Sequence, residues 1–234
     1  MITRRLLGVF ACLFAAVLLS ACSPSEADQR KAFIAFLRDD VLSKTGLRLP
    51  QPDAEKQKSF GAYAEHYAVI TRFHERMNAS VAKPMQETLA KSMPRSIEDV
   101  VARKADLITV RSGFVGMREA LDQALAAAAS EKAALKQPED LAGVYAAVYD
   151  KAVTAPATAF RRVFPTADDA FAAIIALADL IGSNRAAIKL NGSQMEISNP
   201  ALRTKVQAAL EAMNAKQRGM TEAQQTLRQA VFGN

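Results

Sequence analysis

Apolar residues recur three or four positions apart along most of this 234-residue chain, the spacing that gathers them on one face of an α-helix. The first such pattern opens at Asp28 and carries Phe33, Ile34, Leu37 and Val41; Gly46 and Leu49-Pro50-Gln51-Pro52 stop it. A second begins near Asp53, with Phe60, Tyr63, Tyr67, Ile70, Phe73 and Met77 in one stripe. Pro84 is expected to kink or end it, because proline lacks the backbone donor and its ring meets the preceding turn. Helical propensity resumes over 85–91 and stops at Pro94. Ser96-Ile-Glu-Asp99 reads as a capping box for a third helix reaching about Lys136, with Ile97, Val101, Ile108, Phe114, Leu121 and Leu125 near one face. Its alanine-rich part, 124–134, favours helix but fills space thinly, so it should lie close against a neighbour. Pro138 suits the first position of a fourth helix, whose stripe is Leu141, Val144, Tyr145 and Val148. Pro156 and Pro165 bracket a short segment holding Phe160 and Phe164. Thr166-Ala-Asp-Asp169 is then expected to cap a fifth helix with Phe171, Ile174, Ile175, Ala178 and Ile181 inward.

The pattern changes period once. Ile188-Lys-Leu190 and Met195-Glu-Ile197 alternate apolar and polar residues around Asn191-Gly192, a strong hairpin-turn dipeptide. A lone hairpin is marginal in water, so this one must lean on helices. From Pro200 to about Phe232 a nearly heptad phase returns, with Val206, Leu210, Met213, Met220, Leu227 and Val231. It reads as a long helix with a weak point at Gly219. Thr221-Glu-Ala-Gln224 is an alternative cap that would divide it into two. The expected fold is all-α: a multi-helix bundle with one small β-hairpin near 188–197, in a single domain spanning 28–234.

The chain's beginning has a different grammar. Arg4-Arg5 precedes an uncharged run from Leu6 to Leu19, about 20 Å of helix and short for a hydrocarbon core of about 30 Å. A basic start followed by such a run is the signature of an export signal. It ends Leu19-Ser20-Ala21-Cys22, which resembles the lipobox of bacterial lipoproteins. The resemblance implies that Leu19, Ser20 and Ala21 form the signal-peptidase recognition site and that 1–21 is removed. It also implies that Cys22 carries a thioether-linked diacylglyceryl unit and an N-acyl chain such as palmitate, with 22–27 as the lipidated tether. One acyl chain binds a bilayer only marginally; two or three make a lasting anchor. In enterobacterial-type sorting an aspartate after the cysteine retains a lipoprotein in the inner membrane. Ser23 stands there, so the expected location is the outer membrane, facing the periplasm.

Removal of 1–21 leaves 213 of 234 residues, enough for one sizeable core. It takes Arg4 and Arg5 away and lowers the net charge from +6 to +4. That balance suits proximity to anionic head groups and is too weak and scattered for nucleic acid. Cys12 lies within the removed segment, so Cys22 is the sole cysteine left and no internal disulfide can form.

Candidate chemistry is sparse. His66 and His74, eight apart, lie about 12 Å from each other along a helix axis, too far to share one metal; they read as surface or rim histidines. Glu98-Asp99, Glu139-Asp140 and Asp168-Asp169 sit at expected helix starts, where negative charge complements the helix dipole. Asp39-Asp40 is a further carboxylate pair. Gly113-Phe-Val-Gly116 lies within a helical pattern and lacks the strand–turn context of a phosphate loop; it reads as a close-packing or flexible point. Arg161-Arg162 beside Phe160 and Phe164 reads as solvated arginines at a helix end, with lipid head-group contact as the alternative. No catalytic, cofactor-binding or metal-binding residues are assigned, and the domain is expected not to be an enzyme.

Asp28-Gln-Arg-Lys-Ala-Phe-Ile-Ala-Phe-Leu37 resembles the YiaF-like bacterial lipoproteins, a family of unknown function. So do Phe60-Gly61, Tyr67-Ala-Val-Ile70, Ala134-Leu-Lys-Gln137, Asp140-Leu141, Thr154-Ala-Pro-Ala157 and Asn191-Gly192. The 124–134 tract is richer in alanine than that family suggests. The resemblance implies a lipoprotein with one domain and brings no catalytic residues. The expected function is a membrane-anchored, non-enzymatic envelope protein whose partners are the bilayer, through Cys22, and an envelope protein. The alternative is a periplasmic binding module for an apolar ligand such as a lipid, with Met77, Met85, Met93, Met117, Met213 and Met220 as adaptable lining.

Overall fold

The computed structural model describes residues 24–92, 94–191 and 194–233. Leu19, Ser20, Ala21 and Cys22 lie outside the described residues, as do Met93 and Gly192. Helix α1 (Glu26–Phe36) starts two residues before the expected Asp28, because the Ser25 hydroxyl accepts the Asp28 amide at 3.2 Å and caps it. It widens into a π-helical turn, Leu37–Leu42. Asp53 caps α2 (Ala54–Ser59), accepting the Lys56 amide at 2.8 Å. A 3-10 turn, Gly61–Tyr63, leads into α3 (Ala64–Met77).

Pro84 does not end that helix. A second π turn, Asn78–Ala82, carries the chain into α4 (Lys83–Ser92), with the Lys83 amide reaching back to the Asn78 carbonyl. The wide turn leaves room for a ring that would clash in a regular helix. Ser96 caps α5 (Ile97–Ala102) by accepting the Asp99 amide at 3.1 Å. The expected third helix is divided at Arg103 (φ −102°, ψ 20°) from the long α6 (Lys104–Ala133).

After α7 (Glu139–Tyr149), a third π turn, Asp150–Thr154, runs directly into α8 (Ala155–Ser183). Here the sequence expectation of a short segment between two prolines fails. Pro156 occupies the first turn of α8 and Pro165 lies inside it. Thr166 starts no helix; its hydroxyl donates to the Arg162 carbonyl at 3.1 Å.

The hairpin pairs β1 (Ile188–Asn191) antiparallel with β2 (Gln194–Ile197), Leu190 opposite Met195 and Asn191 opposite Gln194. Asn191 is therefore a paired position, one residue earlier than a turn role requires. The final helix α9 (Pro200–Phe232), capped by Asn199, is unbroken. Of the two readings of this segment the single helix holds, and Thr221 back-bonds to the Gln217 carbonyl instead of capping.

The fold is a helical bundle with one small hairpin. Helix α8 is central, packed on α9, α6 and α5, while α3 packs on α6. The main core joins Phe33, Leu37, Phe60, Ile70, Phe73, Leu121, Leu141 and Tyr145, all at most 1% exposed. A smaller cluster of Leu177, Ile181, Ile188, Leu202 and Val206 seats the hairpin on α8 and α9. The alanine tract behaves as expected, with Ala124 and Ala128 buried in the main core.

Candidate functional site

His66 of α3 faces inward, against the expectation of a surface or rim position, while His74 is half-buried, in keeping with a rim position. His66 is 6% exposed and is ringed by Tyr63, Phe33 and Tyr145, with centroids 5.2, 6.2 and 5.9 Å away. Its Nε2 makes a long 3.4 Å contact with the Lys136 carbonyl, and its Nδ1 is buried without a hydrogen bond. Burial pushes its pKa below the usual 6.5, with the Lys136 and Ala62 carbonyls opposing that shift. The spacing carried the signal. His66 follows Tyr63 by three positions and precedes Ile70 by four, so it lies on the apolar stripe.

His74 has a structural partner set by a proline. In a regular helix the Ala152 carbonyl would accept the amide of residue 156, and Pro156 has none. The His74 Nε2 donates to that carbonyl instead, at 2.6 Å. A carbonyl can only accept, so Nε2 bears the proton and Nδ1 is the free nitrogen of the neutral ring. Burial lowers the His74 pKa, with the Ala152 carbonyl opposing.

His74 also lies on the wall of a surface cleft of about 320 Å³. The π turn after α3, the start of α8, the loop after α1 and the end of α9 meet here. Leu47, Phe73, Met77, Pro156, Phe160 and Leu227 make most of the lining; Asn78 and Arg228 complete its polar part with His74. Two glycines fix the rim. Gly46 (φ 71°) turns the chain after α1, and Gly233 (φ 73°) packs on it so closely that an added Cβ would fall 2.7 Å from the Gly46 nitrogen. The Lys151 ammonium donates to the carbonyls of Val41 and Leu42, at 2.9 and 3.2 Å, and to that of Lys44. It therefore terminates the wide turn that leads into this loop.

The carboxylate pairs sort by element. Glu98-Asp99 and Glu139-Asp140 lie in the first turns of α5 and α7, as expected. Asp168-Asp169 lies in the middle of α8 and ties three helices together. Asp168 accepts two hydrogen bonds from Arg111 of α6, at 2.7 and 2.9 Å, which lower its pKa; Asp169 pairs with Lys216 of α9 at 2.6 Å. Asp40 of the remaining pair meets Lys56.

Arg161 pairs with Asp122 of α6 at 2.6 Å. Its neighbour Phe160 lines the cleft while Phe164 is buried. A Cβ on Gly113 or Gly116 would meet nothing within 4 Å, so these glycines are not close-packing points. Met85, Met117 and Met220 are core residues; Met77, also buried, is the methionine that reaches the cleft. Among the described residues no three His, Cys, Asp or Glu side chains are grouped to hold a metal, and no helix is long and apolar enough to cross a membrane.

A family profile described as "Protein of unknown function (DUF3053)" matches residues 10–228. The chain belongs to the DUF3053 family. The match takes in the helical domain up to the last turn of α9 and reaches back into the apolar run before Cys22. The uncharacterized protein YiaF of Escherichia coli K12 is 29% identical over 200 residues, 84% of each chain. The YiaF protein of Shigella flexneri is similar to the same extent. No solved structure matches. This agrees with the YiaF-like resemblance read from 28–37.

Proposed function

We propose that this DUF3053 protein is a lipid-anchored protein of the bacterial envelope whose helical domain acts by binding rather than by catalysis. Arg4-Arg5, the run from Leu6 to Leu19 and Leu19-Ser20-Ala21-Cys22 stand in the order that export and lipidation require. This order carries the proposal. The family match beginning at residue 10 supports it, because it takes in most of the apolar run and Leu19-Ser20-Ala21-Cys22. With α1 starting at Glu26, a tether of three residues, 23–25, separates the helical domain from the cysteine. Cys22 would hold a diacylglyceryl unit and an N-acyl chain, and Ser23 favours the outer membrane, facing the periplasm.

The absence of catalysis is supported by what the reactive groups do instead. His74 is committed to the carbonyl that Pro156 frees, and Asp168, Asp169 and Glu131 are committed to cations of neighbouring helices. Replacing Cys22 with Ser should release the protein from membranes or leave the leader uncut, read by fractionation and by the mass of the N-terminal peptide. Normal maturation and normal membrane association of that variant would sink the proposal. An envelope protein partner should be recovered in stoichiometric amount by crosslinking of intact envelopes.

A second reading, a module that takes an apolar ligand, is favoured by one observation. The cleft at the end of α9 is lined mainly by apolar side chains and, at about 320 Å³, reaches the size range of ligand sites.

A further inference from the structure

We infer that this cleft binds a single-chain amphiphile with an anionic head group, the chain against Phe73, Met77 and Phe160 and the head against Arg228. The inference rests on the second reading above and names its ligand class. Charge decides the head group. Arg228 is, among the described residues, the one lining residue with a formal charge near neutral pH, because burial keeps His74 neutral. Among the described residues no ion-pair partner or hydrogen bond engages the Arg228 side chain. A guanidinium fork offers two parallel donors, the geometry of a carboxylate or phosphate oxygen pair.

Size decides the chain. A volume of about 320 Å³ lies at the lower end of ligand sites, so it matches one chain and is too small to bury the paired chains of a phospholipid. Attraction to the walls is apolar burial. Each methylene moved from water into such a site raises affinity about fourfold, so affinity should climb with chain length until the cleft is full. The site is also prearranged. Gly233 seated on Gly46 holds the last turn of α9, and with it Leu227 and Arg228, over the loop that contributes Leu47. The hydrogen bond from His74 to Ala152 fixes the opposite wall, where Pro156 lies. Little ordering cost then remains for binding.

The test is photo-crosslinking of the full chain in native membranes with two decyl diazirine probes, one ending in a carboxylate and one in an alcohol. Peptides containing 73–82 and 156–160 should carry the label, and unlabelled decanoate should compete while acetate does not. Arg228→Gln, at an exposed position, should cut labelling by the carboxylate probe about tenfold, the loss of one charge-assisted pair, and leave the alcohol probe unchanged. Ala82→Phe, which places a ring in the cleft, should sharply reduce labelling by both, with circular dichroism showing that the helices persist. Label spread evenly over exposed helices, label confined to the N-terminal peptide, or an Arg228→Gln variant equal to wild type would each overturn the inference. Whether the protein is membrane-bound is read separately from the Cys22→Ser fractionation, so failure of the anchor and failure of the cleft give different results.

Discussion

His66 and His74 couple stability to acid. Both imidazoles are held below the ordinary 6.5 by burial, so the unfolded chain takes up protons at a pH where the folded chain does not. Stability from both residues is then complete above about pH 6.5 and is lost as pH falls below it, by at most about 1.4 kcal/mol per pH unit for each histidine. Denaturant melts between pH 7.5 and 5 should show this slope, and the His66→Gln, His74→Gln pair should flatten it. A wild-type slope unchanged in the pair would refute the assignment. Gly61 gives a second prediction. At φ 55° it sits in the left-handed region, and an added Cβ would fall 1.8 Å from the Gln29 amide oxygen. The same amide group donates to the Pro24 carbonyl at 3.0 Å. Gly61→Ala should therefore cost about 1–3 kcal/mol and loosen the start of α1, seen as faster amide exchange at 26–30.

At the scale of elements, α8 shows where local rules lose. Pro165 removes one backbone bond and costs about 3 kcal/mol in a helix interior. Val163, Phe164 and Phe171 are each at most 4% exposed, and burying such side chains returns about 1.5–3 kcal/mol apiece. Burial outweighs the proline, so the helix continues. Because Pro165 is itself exposed, Pro165→Ala should keep the packing, restore the bond to the Arg161 carbonyl and raise stability by about 1–3 kcal/mol in thermal or urea melts. Gly113→Ala and Gly116→Ala on the open face of α6 should each add about 0.5–1 kcal/mol, and a loss would mean that the face is occupied.

What the sequence disclosed follows the same division. Caps at Asp53 and Ser96, the α3 stripe and the period-two hairpin depend on neighbours in the chain and were legible. The π turns were not, because a one-residue widening leaves composition and spacing nearly unchanged. The histidines were legible in part: their spacing showed the face, while the carbonyl that needs His74 lies 78 residues away.

At the scale of the molecule, the bundle is braced by a few long side chains between distant segments. Glu131 of α6 receives Arg72 and Arg76 of α3 at 2.7 and 2.9 Å, and those hydrogen bonds hold its carboxyl below the usual range. Lys151 closes the end of the first helical segment from more than 100 residues away. Lys151→Met should leave those carbonyls without their donor and cost about 1–3 kcal/mol. Hydrogen exchange should show the loss concentrated in 37–46, with α6 protected as before. Uniform loss across the bundle would contradict a local capping role. The cleft is assembled from four segments, so no contiguous motif announced it; Phe160 was visible in the sequence only as part of the short segment between Pro156 and Pro165, beside two arginines.

The wide turns have an evolutionary reading. Each amounts to one extra residue spliced into a helix that would otherwise run on regularly. Removing one residue from 78–82 or 150–154 would let the wide turn close to a regular α turn and leave the next helix in phase, but would bring a carbonyl against the proline that follows. Relatives can therefore lose a residue there without redrawing the apolar stripe of the next helix, provided the proline goes too. An alignment of the family should show length changes in these two turns travelling together with loss of the proline. Within the branch that keeps Pro84 and Pro156, the chain length across both turns should be invariant.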